Sequence, residues 1–189
     1  MHFVIFGLTV SSSWGNGHAT LWRGLLKAMN RRGHTAKFYE RDVPYYASAR
    51  DDWPTPDGVN VRLFNSFEDV RQEIARDLAC ADVAMVTSYC QDGPAASQMI
   101  FESNVAVSAF YDLDTPITLD ALRSSERVRY LPDEGLSQFS IVLSYTGGRA
   151  LEELRSRLGA RHTAPLYGWV DPETHAPAVS KAEDRKSVV

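Results

Sequence analysis

The sequence has little cysteine and no long apolar segment, and both absences limit the class of protein that it encodes. Cys80 and Cys90 are the two cysteines among 189 residues, too few for a disulfide framework. They form no CxxC motif or Cys/His cluster, so we expect a reducing compartment and no metal. No apolar run approaches the ~18 residues that cross a bilayer, and no basic leader precedes residue 7. We therefore expect a cytoplasmic protein without a membrane span.

An excess of basic residues is also missing. The chain has 20 Lys and Arg against 24 Asp and Glu, a formal net charge of -4, and the two signs are interleaved. A nucleic-acid or anionic-membrane surface would need a basic excess, so we expect neither partner. The apolar share of 44% and the charged share of 23% are those of an ordinary globular chain. A packed core is therefore expected.

Strand-like apolar runs alternate with helical patterns along most of the chain. Strands are predicted at residues 3–8, 34–40, 59–64, 83–87, 105–111, 139–145 and 162–167. Helices are predicted around residues 21–29, 66–80, 94–102, 119–124 and 148–158. This alternation predicts an α/β fold with a doubly wound, mostly parallel, Rossmann-like sheet. We expect one domain over residues 1–170, followed by a linker over residues 171–189, where the pattern stops.

Ligands of an open parallel sheet bind beyond the carboxyl ends of its strands, where the strand order switches. The loop after the first strand carries Gly15, Asn16 and Gly17 just before a helix, so its backbone can approach a ligand. His18 follows at the helix start. An imidazole there can act as a general base towards a hydroxyl group. A histidine that only caps the helix or contacts the loop would look the same.

Carboxylates follow the fifth predicted strand on the same edge. Asp112 is nearest the strand end, and we expect it to accept a hydrogen bond from one nitrogen of His18 and so orient the ring. Asp114 belongs to an Asp-x-Asp-Thr-Pro turn and either joins this site or caps a helix. Other candidate binding residues lie after the fourth and sixth strands: Ser88, Tyr89, Thr146, Gly147 and Gly148. The two glycines would equally suit a plain tight turn.

A dinucleotide site is an alternative. Residues 15–20 nearly spell GxGxxG, and Glu40 ends the second strand where an acid that binds ribose is expected. However, Gly15 lies seven residues beyond Leu8, whereas the dinucleotide motif turns directly out of the strand. Thr20 also replaces the glycine that allows close helix packing. The sequence therefore disfavours an NAD-dependent enzyme.

Five segments carry a resemblance to a known family. They are residues 12–24 (SSWGNGHATLWRG), 38–46 (FYERDVPYY), 86–90 (VTSYC), 110–116 (FYDLDTP) and 143–148 (LSYTGG). The chain resembles the CgeB-like GT-B glycosyltransferases over residues 1 to about 176. The resemblance implies the N-terminal, acceptor-side half of a GT-B fold. Such enzymes move a sugar from a nucleotide-sugar donor to a hydroxyl acceptor without a further cofactor, and the implied base is His18, oriented by Asp112.

The resemblance also implies a second Rossmann-like domain, which holds most of the donor, and no second βα series follows residue 171. Residues 183–189 can be back-translated into a common sequencing adapter. We therefore expect residues 184–189 to be assembly read-through and the natural protein to continue beyond about Glu183. Without its C-terminal domain the chain would be inactive. The alternative is a stand-alone, non-catalytic Rossmann-like binding module.

Overall fold

The computed structural model describes residues 1–15 and 17–177, which form one seven-stranded sheet. The strands are β1 (His2–Gly7), β2 (Thr35–Arg41), β3 (Val59–Phe64), β4 (Val83–Thr87), β5 (Val107–Asp112), β6 (Ile141–Ser144) and β7 (Thr163–Pro165). The helices are α1 (Gly17–Arg31), α2 (Pro44–Ala47), α3 (Phe67–Cys80), α4 (Gly93–Glu102), α5 (Thr115–Arg123) and α6 (Arg149–Leu158). In this part of the chain no helix combines the length and apolar character that a membrane span requires.

Every neighbouring pair of strands is parallel, and the strand order is β3-β2-β1-β4-β5-β6-β7. The chain runs outward from β1 to β3 and then returns to place β4 on the other side of β1. The order therefore switches between β1 and β4. The prediction of a doubly wound Rossmann-like sheet is confirmed.

Helices cover both faces of the sheet, which explains why its strands are apolar runs rather than alternating ones. Val4 and Phe6 belong to one core cluster, which includes Ile74 of α3 and Leu154 of α6. The intervening Ile5 joins a second cluster on the other face. Helix α1 contributes Trp22 and Leu26 to this second cluster. Successive side chains of β1 thus enter opposite cores.

The predicted element boundaries agree with the structure within a few residues, although β6 and β7 are shorter than predicted and two helices differ from the prediction. The helix expected at residues 119–124 begins at Thr115, because Asp114 takes the N-cap position and Pro116 suits the first turn. The short helix α2 lies in a proline-rich stretch that carried no helical periodicity. Ser66 occupies the predicted N-cap position of α3, although its side chain makes no capping hydrogen bond.

Candidate functional site

A histidine and a carboxylate meet at the carboxyl edge of the sheet, beside the switch between β1 and β4. Nε2 of His18 lies 2.8 Å from Oδ2 of Asp114. His18 is the second residue of α1, and Asp114 precedes α5 at the end of β5. His18 is 8% exposed. The structure thus joins two predicted site residues, one from each side of the switch.

Asp114 is the partner of His18, so the expected contact between His18 and Asp112 is wrong. Asp112 is the last residue of β5, and its side chain is fully buried. Its Oδ1 accepts a hydrogen bond from the backbone N–H of Asp114 at 2.9 Å. That bond holds the turn in which the Asp114 carboxylate reaches the imidazole. Asp114 stands at the N-cap of α5, yet its side chain makes no capping bond.

Burial gives Asp112 an unusual ionisation. It raises the pKa of this carboxyl to about 6, well above its ordinary value of 3.8. The nearby Thr118 hydroxyl and the Asp114 N–H lower this pKa, but burial outweighs them. By distance and angle, Oδ2 itself makes no hydrogen bond within the described residues. The group therefore changes charge in mildly acidic solution, two residues from the carboxylate that contacts His18.

Ser88 ties the loop after β4 to the same carboxylate. Its hydroxyl donates to Oδ2 of Asp114 at 3.0 Å and accepts the backbone N–H of Leu113 at 3.0 Å. Ser88 is fully buried, and its two hydrogen bonds hold Asp114 on the side away from solvent. The next residue, Tyr89, is 39% exposed, and its ring meets the His18 ring edge-on at 6.0 Å between centroids. Tyr89 therefore flanks the pair on its solvent side.

The second ring nitrogen of His18 decides what the pair can do. A neutral imidazole that donates Nε2–H to an ionised Asp114 keeps its lone pair on Nδ1, which can then accept a proton. This Nδ1 is buried and has no hydrogen-bond partner among the described residues. A substrate hydroxyl would reach it only after the neighbouring loops move.

The loop after β1 is held by one buried carboxylate. Glu40 accepts hydrogen bonds from the hydroxyl of Thr9 (2.7 Å), the N–H of Val10 (2.7 Å), and both the N–H (3.0 Å) and the hydroxyl (2.6 Å) of Ser11. Since Glu40 is fully buried by these partners, its carboxylate is not available to a ribose. This geometry argues against the dinucleotide alternative.

The glycines of this loop differ in their surroundings. Gly15 has a φ of +68° and lies against the hydroxyl end of Tyr45, so a side chain there would be strained. Gly17, the first residue of α1, has open space where a side chain would begin. Asn16, the third binding residue predicted here, lies outside the described residues.

The remaining predicted binding residues follow β6, two strands away from β4. Thr146 donates its N–H to Oγ of Ser144 at 3.1 Å, Gly147 packs against the Tyr167 hydroxyl, and Gly148 precedes α6 at a φ of +63°. This loop lies on the same edge, but none of its described contacts reaches His18. The structure brings together His18, Asp112, Asp114, Ser88 and Tyr89. It does not bring Thr146, Gly147 or Gly148 into contact with that group.

Sequence reasoning missed one part of the site, which comes from the irregular stretch before β6. The Tyr130 ring packs against Tyr89 at 5.1 Å, and its hydroxyl lies 2.7 Å from that of Thr118 in α5. Burial raises the pKa of the Tyr130 hydroxyl, which keeps it protonated. No motif or periodicity marks residue 130, so only the folded chain could place it here.

Within residues 1–15 and 17–177, no group of three or more His, Cys, Asp and Glu side chains could hold a metal ion. Both cysteines are free; Cys80 is exposed, and burial raises the pKa of the Cys90 thiol to about 12. Neither thiol lies in the His18 group. A search of protein-family models finds none that matches this chain, and no curated protein is significantly similar to it.

Proposed function

We propose that the chain is the acceptor-side domain of a CgeB-like GT-B glycosyltransferase, with His18 as the general base. The observation that carries the proposal is the 2.8 Å contact between Nε2 of His18 and Oδ2 of Asp114 at the switch in strand order. Asp114 replaces Asp112 as the orienting carboxylate. Asp112 becomes the residue that holds Asp114 in place.

The chemistry follows from the tautomer that Asp114 selects. An acceptor hydroxyl attacks the anomeric carbon of a nucleotide sugar and gives its proton to Nδ1 of His18. The new C–O bond forms as the bond from the anomeric carbon to the donor phosphate oxygen breaks, and the nucleotide leaves with that electron pair. The Asp114 carboxylate stabilises the imidazolium that results.

The loop after β1 would take part in binding. Gly15 and Gly17 bring backbone close to the edge where the donor or acceptor lies. Most of the contacts that bind the donor would come from a second domain, as the family resemblance implies. Closure of that domain would move the loops around Nδ1 and exclude water from the transfer.

A long read of the source DNA across the codons for residues 172–189 first establishes the reading frame, and the test uses the protein that this frame encodes. Release of nucleoside diphosphate is measured with a panel of UDP-, GDP-, ADP- and dTDP-sugars and hydroxyl acceptors. His18→Ala should lower turnover at least about a hundredfold, the ordinary size of a general-base effect. His162→Ala, at an exposed histidine, is the matched control. Near-normal turnover of the His18 variant would contradict the proposed role.

A second candidate is a non-catalytic binding module, and the burial of His18 Nδ1 favours it. In that case the His18–Asp114 contact only fastens α1 to α5. His18→Ala would then lower thermal stability, and the full reading frame would show no donor-dependent turnover with any sugar nucleotide. Isothermal titration of the 189-residue chain with the same donors separates binding from catalysis.

A further inference from the structure

The exposed aromatic side chains of the described residues share one edge of the sheet. Each lies in a connection that follows the carboxyl end of a strand: Trp14 after β1, Tyr45 after β2, Tyr89 after β4, Tyr145 after β6 and Tyr167 after β7. At the opposite edge the exposed large apolar residues in this part of the chain are aliphatic, Met1 and Val107. The rings are thus concentrated where ligands of such sheets bind. We call these five residues the aromatic row.

The strand order sets the members of the aromatic row out in a line. Their strands stand in the order β2, β1, β4, β6 and β7, and β5 between β4 and β6 contributes Asp114. Neighbouring strands are about 4.8 Å apart, so the strands that carry the row span ~24 Å. Such a row suits an elongated ligand better than a compact one. The His18–Asp114 pair lies near its middle.

The charges along this edge do not favour a polyanionic ligand. The arginines at and after the ends of β1 and β2 are paired within the chain: Arg41 Nε lies 2.8 Å from Asp92, Arg50 Nη2 lies 2.8 Å from Asp42, and Arg23 Nη1 lies 3.0 Å from Asp51. Arg149, after β6, is exposed and lies 3.7 Å from Glu153. A nucleic acid would require unpaired cations along the row. An uncharged ligand therefore fits this part of the row better than a nucleic acid does.

One member of the row, Tyr89, has an unfavourable backbone conformation. Its φ is +60°, in the left-handed region that glycine favours. It is the third residue of a turn closed by a hydrogen bond from Cys90 N–H to the carbonyl of Thr87, a position where glycine would be ordinary. Such a conformation persists when the surrounding contacts hold it, and the Tyr89 ring packs against His18 and Tyr130.

Sugar rings match this combination of features. Their faces are rich in C–H groups and stack on aromatic rings, while their hydroxyl groups bond to the polar loop atoms between those rings. A protein or membrane partner would instead need one continuous apolar patch. In the aromatic row Trp14 and Tyr45 pack on each other, with ring centroids 5.7 Å apart, and polar residues such as Ser13 and Thr146 lie next to the rings. The exposed aliphatic residues Ile117 and Val170 also follow strands at this edge, after β5 and β7.

We propose that the aromatic row binds a neutral oligosaccharide lengthwise, with one sugar ring on Tyr89 beside His18. The role of that oligosaccharide as acceptor rests on the proposed function, whereas its binding does not. Stacking on several separate rings makes affinity depend on the number of sugar units, because each added ring gains a contact.

Isothermal titration of the 189-residue chain with maltohexaose, cellohexaose, chitohexaose and mannohexaose, each against its disaccharide, tests this. At least one hexasaccharide should bind ten or more times tighter than its disaccharide. Trp14→Ala, Tyr89→Ala and Tyr167→Ala should each weaken that binding about tenfold. Val107→Ala, at the opposite edge, should leave it unchanged, and circular dichroism shows that each variant is folded.

Three outcomes would overturn the inference: no hexasaccharide binds, the three ring substitutions leave the affinity unaltered, or they change self-association in sedimentation instead. The last would make the row a protein contact. Hexasaccharide binding without donor-dependent transfer by the full reading frame would contradict the proposed function alone. Transfer that does not depend on the aromatic row would contradict this inference alone.

Discussion

Oδ1 of Asp112 lies 2.9 Å from the backbone nitrogen of Asp114 and accepts its hydrogen. The two carboxylates, two residues apart, therefore have different tasks. Asp112 is buried and fixes the turn, whereas Asp114 reaches His18. The division arises because the last residue of β5 points into the core and the chain then turns into α5.

The raised pKa of Asp112 predicts how stability changes with pH. A carboxyl whose pKa is about 6 in the folded chain and 3.8 in the unfolded chain binds more protons when folded between these values. Stability should therefore fall as the pH rises from about 4 to about 6. Asp112→Asn keeps an acceptor for the Asp114 N–H and removes the buried charge. It should be more stable than the wild type by about 1–3 kcal/mol at pH 8, with a difference that shrinks towards pH 4.

Urea unfolding of the wild type and Asp112→Asn at pH 4.5, 6 and 8 measures this difference. Asp120→Asn is the matched control, since that carboxylate is largely exposed. A stability difference between wild type and Asp112→Asn that stays the same at all three pH values would show that Asp112 is not the group that titrates.

Replacement of Glu40 should unfasten the loop after β1. Glu40→Gln preserves the shape, but its amide nitrogen would face hydrogen-bond donors where a carboxylate oxygen accepts from them now. We expect the free energy of unfolding to fall by about 2–3 kcal/mol, because a buried network is left partly unsatisfied. Chemical denaturation measures it, with Glu134→Gln at an exposed site as the control. If Glu40→Gln lowers the free energy of unfolding no more than Glu134→Gln does, Glu40 does not hold the loop after β1.

The sheet could be predicted from the sequence because its strands are buried on both faces. Continuous apolar runs such as that containing Val4, Ile5 and Phe6 are typical of a covered parallel strand, and the glycine after α1 marked the end of that helix. β6 and β7 are shorter than predicted. Before β6, Phe139 belongs to the core without belonging to the strand.

The pairing inside the site could not be predicted from spacing. Asp112 and Asp114 both follow β5, and only the turn that Asp112 itself stabilises decides which of them meets His18. Glu40 resembled a ribose-binding acid because its position in the chain was right, whereas its contacts are with the loop after β1. Tyr130 reaches Tyr89 across 41 positions in a stretch without periodicity. Local patterns carry no information on contacts of this kind.

His18 and Asp114 should act as one unit. In the full reading frame we expect His18→Ala and Asp114→Asn each to lower turnover at least about a hundredfold, and the double variant to be no worse than the poorer single variant. The physical reason is that Asp114 acts on the reaction through the imidazole that it orients. Steady-state kinetics of the wild type and the three variants gives a double-mutant cycle. If the two losses of turnover multiply in the double variant, His18 and Asp114 have independent roles.

A methyl group at Gly93 should disturb the support of the site. A Cβ there would lie 3.0 Å from the carbonyl carbon and the Cα of Tyr130 and would overlap its carbonyl oxygen, all of them backbone atoms that cannot move aside. Gly93→Ala should therefore lower stability by at least about 2 kcal/mol. Gly17→Ala is the matched control, also at the first residue of a helix but with open space around it. Thermal denaturation compares them, and similar melting temperatures would contradict the close approach.

Tyr89 should reverse the ordinary order of alanine and glycine. Both Tyr89→Ala and Tyr89→Gly remove the ring contacts with His18 and Tyr130, but only glycine removes the cost of a φ of +60°. We expect the glycine variant to be the more stable of the two by about 1 kcal/mol. At Tyr145, which is similarly exposed but has no positive φ, alanine should be the more stable replacement, because glycine loses more backbone entropy. Denaturant unfolding of the four variants gives both differences. If alanine is the more stable replacement at Tyr89 as well as at Tyr145, the turn at Tyr89 carries no strain, and no function of its ring is needed to explain the turn.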